Sequence, residues 1–248
     1  MIIDSHVHVD ETSKALGWMD PPETMLTLMD EAGVDKAIIM TYMDSPGVGL
    51  RSIEYTLDVL RKYPDRFWGY ARMATWWGDR AVDMFEQAIL EYGLVGLKLH
   101  PVTTIDHPAS GTSAKMIKKA ADLKVPVLFH SGDEPMCTPY ELETAALACP
   151  EATIIFGHMG GYFHAADAIE VAARTPNVVL DTSCMPQPAW IRAAVERIGP
   201  ERVLYASDGP GCPPGLEIHK VKRAGLTPAE EELVFSGNIL RILEAAKR

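Results

Sequence analysis

The chain has 248 residues, 47% of them hydrophobic, enough for a sizeable buried core in a barrel or a large α/β domain. Its net charge of −11 lacks the cation excess that phosphate backbones and acidic membrane surfaces require, so neither nucleic acid nor membrane is an expected partner. The four cysteines, Cys137, Cys149, Cys184 and Cys212, form no CxxC and read as reduced thiols. The N-terminus shows no signal-peptide pattern, and no apolar run approaches the ~20 residues of a membrane span, so the expected location is cytoplasmic. A secreted protein with a trimmed signal is the weaker alternative.

Short apolar, β-branched runs recur along the chain: IIDSHVH (2–8), KAIIMTY (36–42), RFWGYARM (66–73), LVGLKLH (94–100), VPVLFHS (125–131), ATIIFGH (152–158), NVVLDTS (177–183) and RVLYASD (202–208). Near-continuous apolarity suits parallel strands covered on both faces. Between them lie stretches of helical period, at 22–33, 51–63, 79–93 and 113–124, and later in YELETAALAC, FHAADAIEVAAR and PAWIRAAVERIG. Gly33 and Gly93 stand where helix C-caps favour glycine, and Pro22, Pro139 and Pro188 where a first helical turn tolerates proline. Eight βα units in this length predict an α/β protein, a (β/α)8 TIM barrel over 1–248 as a single domain, with a C-terminal helix at 228–246 closing the ring. A doubly wound open sheet is the rival, but GxGxxG and GxxxxGK[ST] motifs are absent.

Polar residues cluster at the predicted C-terminal strand ends, the rim where barrel enzymes build active sites. The first strand ends in His6 and His8, the fourth in Lys98 and His100, the fifth in His130. The sixth ends in His158, the seventh in Asp181 and the eighth in Asp208. A lone strand-end histidine is usually a hydrogen-bonded structural residue. Here five of the chain's 8 histidines share one feature, and His6 and His8, two apart, lie on one face. With His130 and Asp208 they make three imidazoles and a carboxylate, a set suited to one divalent metal. Zinc is the first expectation, with manganese, iron or cobalt as alternatives.

This ordered set resembles the amidohydrolase superfamily. The segments IIDSHVH, GLKLHP, FHSG, GHMGG, YASDGPG and FSGNILRIL resemble more closely its amidohydrolase-related branch, which includes decarboxylases similar to aminocarboxymuconate-semialdehyde decarboxylase. The resemblance spans nearly the whole chain. It implies His6, His8, His130 and Asp208 as metal ligands, and His158 as the residue that activates or orients metal-bound water. In binuclear members a fourth-strand lysine is carbamylated. Lys98 stands near that place, yet the branch resembled is mostly mononuclear, so Lys98 is expected to meet substrate instead.

Among further candidates, His100, Arg72 and His164 are assigned to substrate binding, and Arg51 more weakly. Asp4 faces the same way as His6, and Asp181 is placed to orient a ligating imidazole. TWW (75–77) walls the pocket or merely packs, and His107 and His219 read as surface residues. The expected chemistry is hydrolysis of a small, carboxylate-bearing amide, lactone or ester, with Asp208 shuttling a proton and His158 steadying the oxyanion. The alternative is metal-dependent, non-oxidative decarboxylation of a small unsaturated or aromatic acid. A barrel that binds a ligand without turnover is the weakest reading. The substrate is a small molecule, assembly into a homo-oligomer is left open, and loops such as MDSPGVG (43–49) and HPASGTS (107–113) carry no transferable specificity code.

Overall fold

The computed structural model describes residues 1–10, 21–42 and 51–246, so the loop MDSPGVG lies outside the described residues. β1 (Ile3–His8) pairs in parallel with β2 (Lys36–Met40), and β2 with β3 (Phe67–Gly69). A second parallel run follows: β4 (Ala71–Arg72), β5 (Leu97–Leu99), β6 (Val127–Phe129), β7 (Ile154–Phe156), β8 (Val178–Asp181) and β9 (Val203–Leu204). β3 and β4 are two halves of one barrel strand, broken at Tyr70, whose N–H still donates to Ile39 O at 2.9 Å. The circle closes where Ser5 N donates to Tyr205 O (3.2 Å), Asp208 N to His6 O (2.8 Å) and His8 N to Gly209 O (2.7 Å). The eight-stranded barrel is the one the sequence predicts.

The helices follow local rules. α1 (Pro22–Ala32) starts on proline and ends at Gly33, whose φ of 72° is the left-handed conformation that glycine adopts without a Cβ penalty. α6 (Pro139–Ala148) starts with a capping box between Thr138 and Glu141. With α2 (Arg51–Lys62), α3 (Asp79–Leu90), α5 (Gly111–Asp122), α7 (Ala165–Arg174) and α8 (Pro188–Ile198) they form most of the outer ring; α4 (Pro101–Thr104) is a single turn on the rim.

The eighth ring position belongs to α9 (Pro214–Arg223), which packs between α8 and α1. The expected closing helix at 228–246 is instead α10 (Pro228–Glu232), a π-helical turn (Leu233–Gly237) and α11 (Asn238–Ala246). Ile239, Ile242 and Leu243 of α11 cluster with Ile3, Ile38, Leu128, Ile155, Val179 and Leu204, one inward side chain from each of six strands. Thus α11 seals the apolar floor of the barrel. The reason is its apolar stripe, which finds inward-facing strand residues at the barrel's N-terminal end while α9 already fills the gap in the ring. Among the described residues, no helix is long and apolar enough to cross a membrane.

Because side chains alternate, Leu97 and Leu99 join the outer core and Lys98 between them points inward, fully buried. The register of β1 shifts between Asp4 and Val7, so alternation breaks there. Asp4 Oδ1 accepts from Ser207 N (2.9 Å) and His6 N (3.3 Å), tying β1 to the loop that carries Asp208. The barrel interior is therefore apolar at the floor and polar at the mouth.

Candidate functional site

Six side chains expected at the rim, His6, His8, Lys98, His130, His158 and Asp208, meet at the barrel mouth. His6, His158 and Asp208 each offer one donor atom, and these atoms all lie within 4.8 Å of one another. His8 Nε2 is 3.2 Å from Asp208 Oδ1, and His6 Nε2 is 3.4 Å from the same oxygen. His158 and Asp208 both take left-handed backbone, with φ of 59° and 63°, a conformation other residues than glycine seldom adopt without compensation. Gly157 makes room for this turn: a Cβ there would lie 2.8 Å from Phe129 O and 3.3 Å from His6 Cε1.

Each of three imidazoles has its Nδ1 anchored. His6 Nδ1 donates to Asp181 Oδ2 (2.9 Å), His8 Nδ1 to the Thr41 carbonyl (3.1 Å) and His158 Nδ1 to Ser183 Oγ (2.8 Å). Ser183 Oγ in turn donates to Asp181 Oδ1 at 2.5 Å, and the same oxygen accepts His158 N at 2.9 Å. This network sets the tautomers and turns the Nε2 lone pairs of His6 and His8 toward Asp208. Burial holds the His6 imidazole well below its usual range, lowers that of His8, and brings that of His158 to about 3, so the rings stay neutral.

This arrangement tests the site for a cation. Neutral His8 with its proton on Nδ1 presents a lone pair to a carboxylate oxygen at hydrogen-bond distance, and His6 does nearly the same. Acceptors converging without a proton between them repel unless a positive charge sits among them. Lys98 Nζ answers part of that need, donating to His6 Nε2 at 2.9 Å, although burial and the nearby Arg72 bring its ammonium down to about 8. The donor set fits a divalent metal with nitrogen and oxygen ligands, and the anchored Nδ1 atoms supply the outer contacts that such ligands use.

His130 stands beside this group. Its Nδ1 is 3.2 Å from His158 Nε2, its Nε2 faces Glu134 Oε2 at 3.2 Å, and its ring stacks on His100 with centroids 4.0 Å apart. A polar cavity of about 100 Å³ opens next to the group, with Arg72, Lys98, His100 and Tyr42 in its wall. Arg72 is buried and donates to Thr41 O (3.3 Å). A second cavity of about 190 Å³ adjoins it through His130, His158 and Asp208.

Not every candidate reaches the mouth. His164 precedes α7 and pairs with Asp167 Oδ2 (2.9 Å), three residues on, with Asp133 Oδ1 at 3.8 Å; it lines neither cavity. Trp76 and Trp77 lie on a rim turn away from both cavities, and His107, His219 and Arg51 are exposed. Ser183, Glu134 and the Thr41 carbonyl escaped the sequence reading. The polar DTS directly after the seventh strand was the available signal for Ser183; a main-chain carbonyl leaves none.

The fold has solved counterparts over its full length. An uncharacterised TIM-barrel protein from Bordetella bronchiseptica superposes with a TM-score of 0.82 at 20% identity, covering 100% of this chain and 99% of the other. 5-Carboxyvanillate decarboxylase LigW from Sphingomonas paucimobilis gives 0.76 at 18% identity, covering 98% of each chain. Dihydroxybenzoic acid decarboxylase from Polaromonas sp. JS666, solved with manganese and the inhibitor 2-nitroresorcinol, gives 0.76 at 16%, covering 98% of this chain and 96% of that one. At such identities the likeness establishes the barrel alone. No curated protein matches the chain. The amidohydrolase family model, however, matches residues 3–244. With its strand-end histidines in the order that family uses, the chain belongs to the amidohydrolase family, in the amidohydrolase-related branch.

Proposed function

We propose that the protein is a metal-dependent, non-oxidative decarboxylase of a small unsaturated or aromatic carboxylic acid. The observation that carries this reading is the convergence of neutral imidazole lone pairs and the Asp208 carboxylate beside a cavity walled by Arg72 and Lys98. His6, His8 and Asp208 would hold the cation, with a fourth donor from the hydrogen-bonded His130–His158 pair. The resemblance to the family favours His130, and the separations favour His158. Zinc suits the set, and manganese, present in the decarboxylase from Polaromonas, suits it equally.

A divalent ion there supplies a fixed positive charge that draws in and orients substrate oxygens. The chain's own groups do the rest. Arg72 and Lys98 pair with substrate carboxylate oxygens, and the apolar faces of the stacked His100 and His130 bound a flat substrate. As the carbon–carboxylate bond breaks, its electron pair stays on the substrate carbon, which takes a proton as carbon dioxide leaves. Glu134, beside His130 Nε2 at 3.2 Å and open to solvent, stands where a proton can be supplied to this side of the cavity.

Hydrolysis uses the same metal, but it asks Asp208 to accept and release a proton. Decarboxylation instead makes direct use of Arg72 and Lys98 in the cavity wall, which can hold the carboxylate that reacts. The test is direct: the metal-loaded enzyme is offered aromatic and conjugated carboxylic acids with carbon dioxide release as readout, beside a lactone, ester and amide panel. Release of carbon dioxide that stops on chelation supports the reading; turnover confined to the second panel overturns it. Metal content of His130→Ala and His158→Ala assigns the fourth ligand.

A further inference from the structure

The loops after β8 and β9 bring together two thiols that the proposed reaction does not use. Cys184 Sγ and Cys212 Sγ lie 3.3 Å apart, from positions 28 residues apart in the chain. A covalent S–S bond is about 2.05 Å, so closure asks for a movement of only about 1 Å. Both residues are partly exposed, and Cys184 borders the wider cavity, so a small oxidant can reach them. Cys184 has a second tie: its thiol donates to Asp208 Oδ2 at 3.4 Å. Its backbone is left-handed, with φ of 56°. Cys137 and Cys149 are buried and serve as internal controls.

We propose that Cys184 and Cys212 form a reversible dithiol–disulfide pair, oxidised by hydroperoxides, that acts on Asp208. One thiolate sulfur attacks a peroxide oxygen; the O–O bond breaks, water leaves after protonation, and a sulfenic acid remains. The second thiol displaces water from that sulfur as the S–O bond breaks and the S–S bond forms. Two thiols and one hydrogen peroxide thus give one disulfide and two waters, the sulfurs losing the two electrons that the peroxide gains. Cys184 then has no S–H to give, and its sulfur is drawn toward Cys212 and away from Asp208. The bond itself is independent of the metal reading, whereas its effect on cation binding rests on that reading.

The test uses the full-length, metal-loaded protein, reduced with dithiothreitol, desalted and exposed to hydrogen peroxide. Free thiols fall from four to two, and non-reducing tryptic digestion yields peptides 175–192 and 203–220 joined, lighter by two hydrogens. Dithiothreitol reverses both changes, and Cys212→Ser shows neither. Manganese affinity by equilibrium dialysis falls about tenfold on oxidation, the size typical of a lost contact to a ligand. Retention of four thiols, or sulfinic acids without the joined peptides, overturns the pair. A disulfide with unchanged manganese affinity overturns its action on Asp208. A reduced protein that binds no manganese refutes the cation site instead, and leaves the disulfide result standing.

Discussion

Asp181 accepts four hydrogen bonds in the dry interior, and its two oxygens have different tasks. Oδ1 takes His158 N (2.9 Å), Ser183 N (3.0 Å) and Ser183 Oγ (2.5 Å), while Oδ2 takes His6 Nδ1 (2.9 Å). In Asp181→Asn the amide oxygen can keep the first three. Its NH2 group then points at His6 Nδ1, so His6 must move its proton to Nε2, and the lone pair facing Asp208 is lost. The fold keeps all its buried partners, and Tm should change little. Metal affinity should fall 10–100-fold, about 1.4–2.8 kcal/mol, the range for outer contacts to ligating imidazoles. Isothermal titration with manganese measures the affinity, and ring-nitrogen NMR reports the His6 tautomer. Asp181→Ala is the contrast: it orphans the two buried backbone N–H groups of His158 and Ser183 at about 1–3 kcal/mol each, so Tm falls with it. If Asp181→Asn binds manganese like the parent, or loses fold and affinity together, the orienting role is wrong.

Asp4→Ala removes the acceptor for Ser207 N and His6 N and should destabilise by about 1–3 kcal/mol per orphaned donor, lowering Tm and loosening Asp208. A melt unchanged in the variant would refute this. Arg72→Met should raise KM for carboxylate substrates more than it lowers kcat; equal loss in both would place Arg72 in the chemical step. Glu217, buried beside Lys220, has its carboxyl raised from 4.5 to about 7 by burial. The folded state therefore holds a proton that the unfolded state has released between these values. Its contribution is full below pH 4.5 and is lost as pH rises through 7. Relative to the parent, Glu217→Gln should gain stability from pH 5 to pH 8, by on the order of 3 kcal/mol at most; parallel stability curves would refute the shift.

Much of the architecture was legible because barrels repeat a local signal. Each inner strand announced itself as a short apolar run, and five histidines at strand ends marked the mouth before any contact was known. The spacing of His6 and His8 placed both on one side of β1, and in the structure both reach the same Asp208 oxygen. Three things resisted. PGLEIHKVKR is short and polar beside the strongly amphipathic C-terminal segment, so the ring's last helix was sought in the wrong place. The bulge in β1 broke the alternation that assigned Asp4 to the side of His6. His164 lies close in sequence to His158, yet its nearest partner, Asp167, comes from the turn that follows it.

By itself the sequence determined the barrel, its polar mouth and the residue types that meet there, because period and strand order depend on near neighbours. Tertiary structure alone decided which nitrogen of each imidazole faces inward. Asp181, Ser183 and the Thr41 carbonyl reach the three rings from other loops. It also decided that Cys184 meets Cys212 and that α11 seals the floor. Those outcomes depend on contacts between segments far apart in the chain, and no local pattern encodes them.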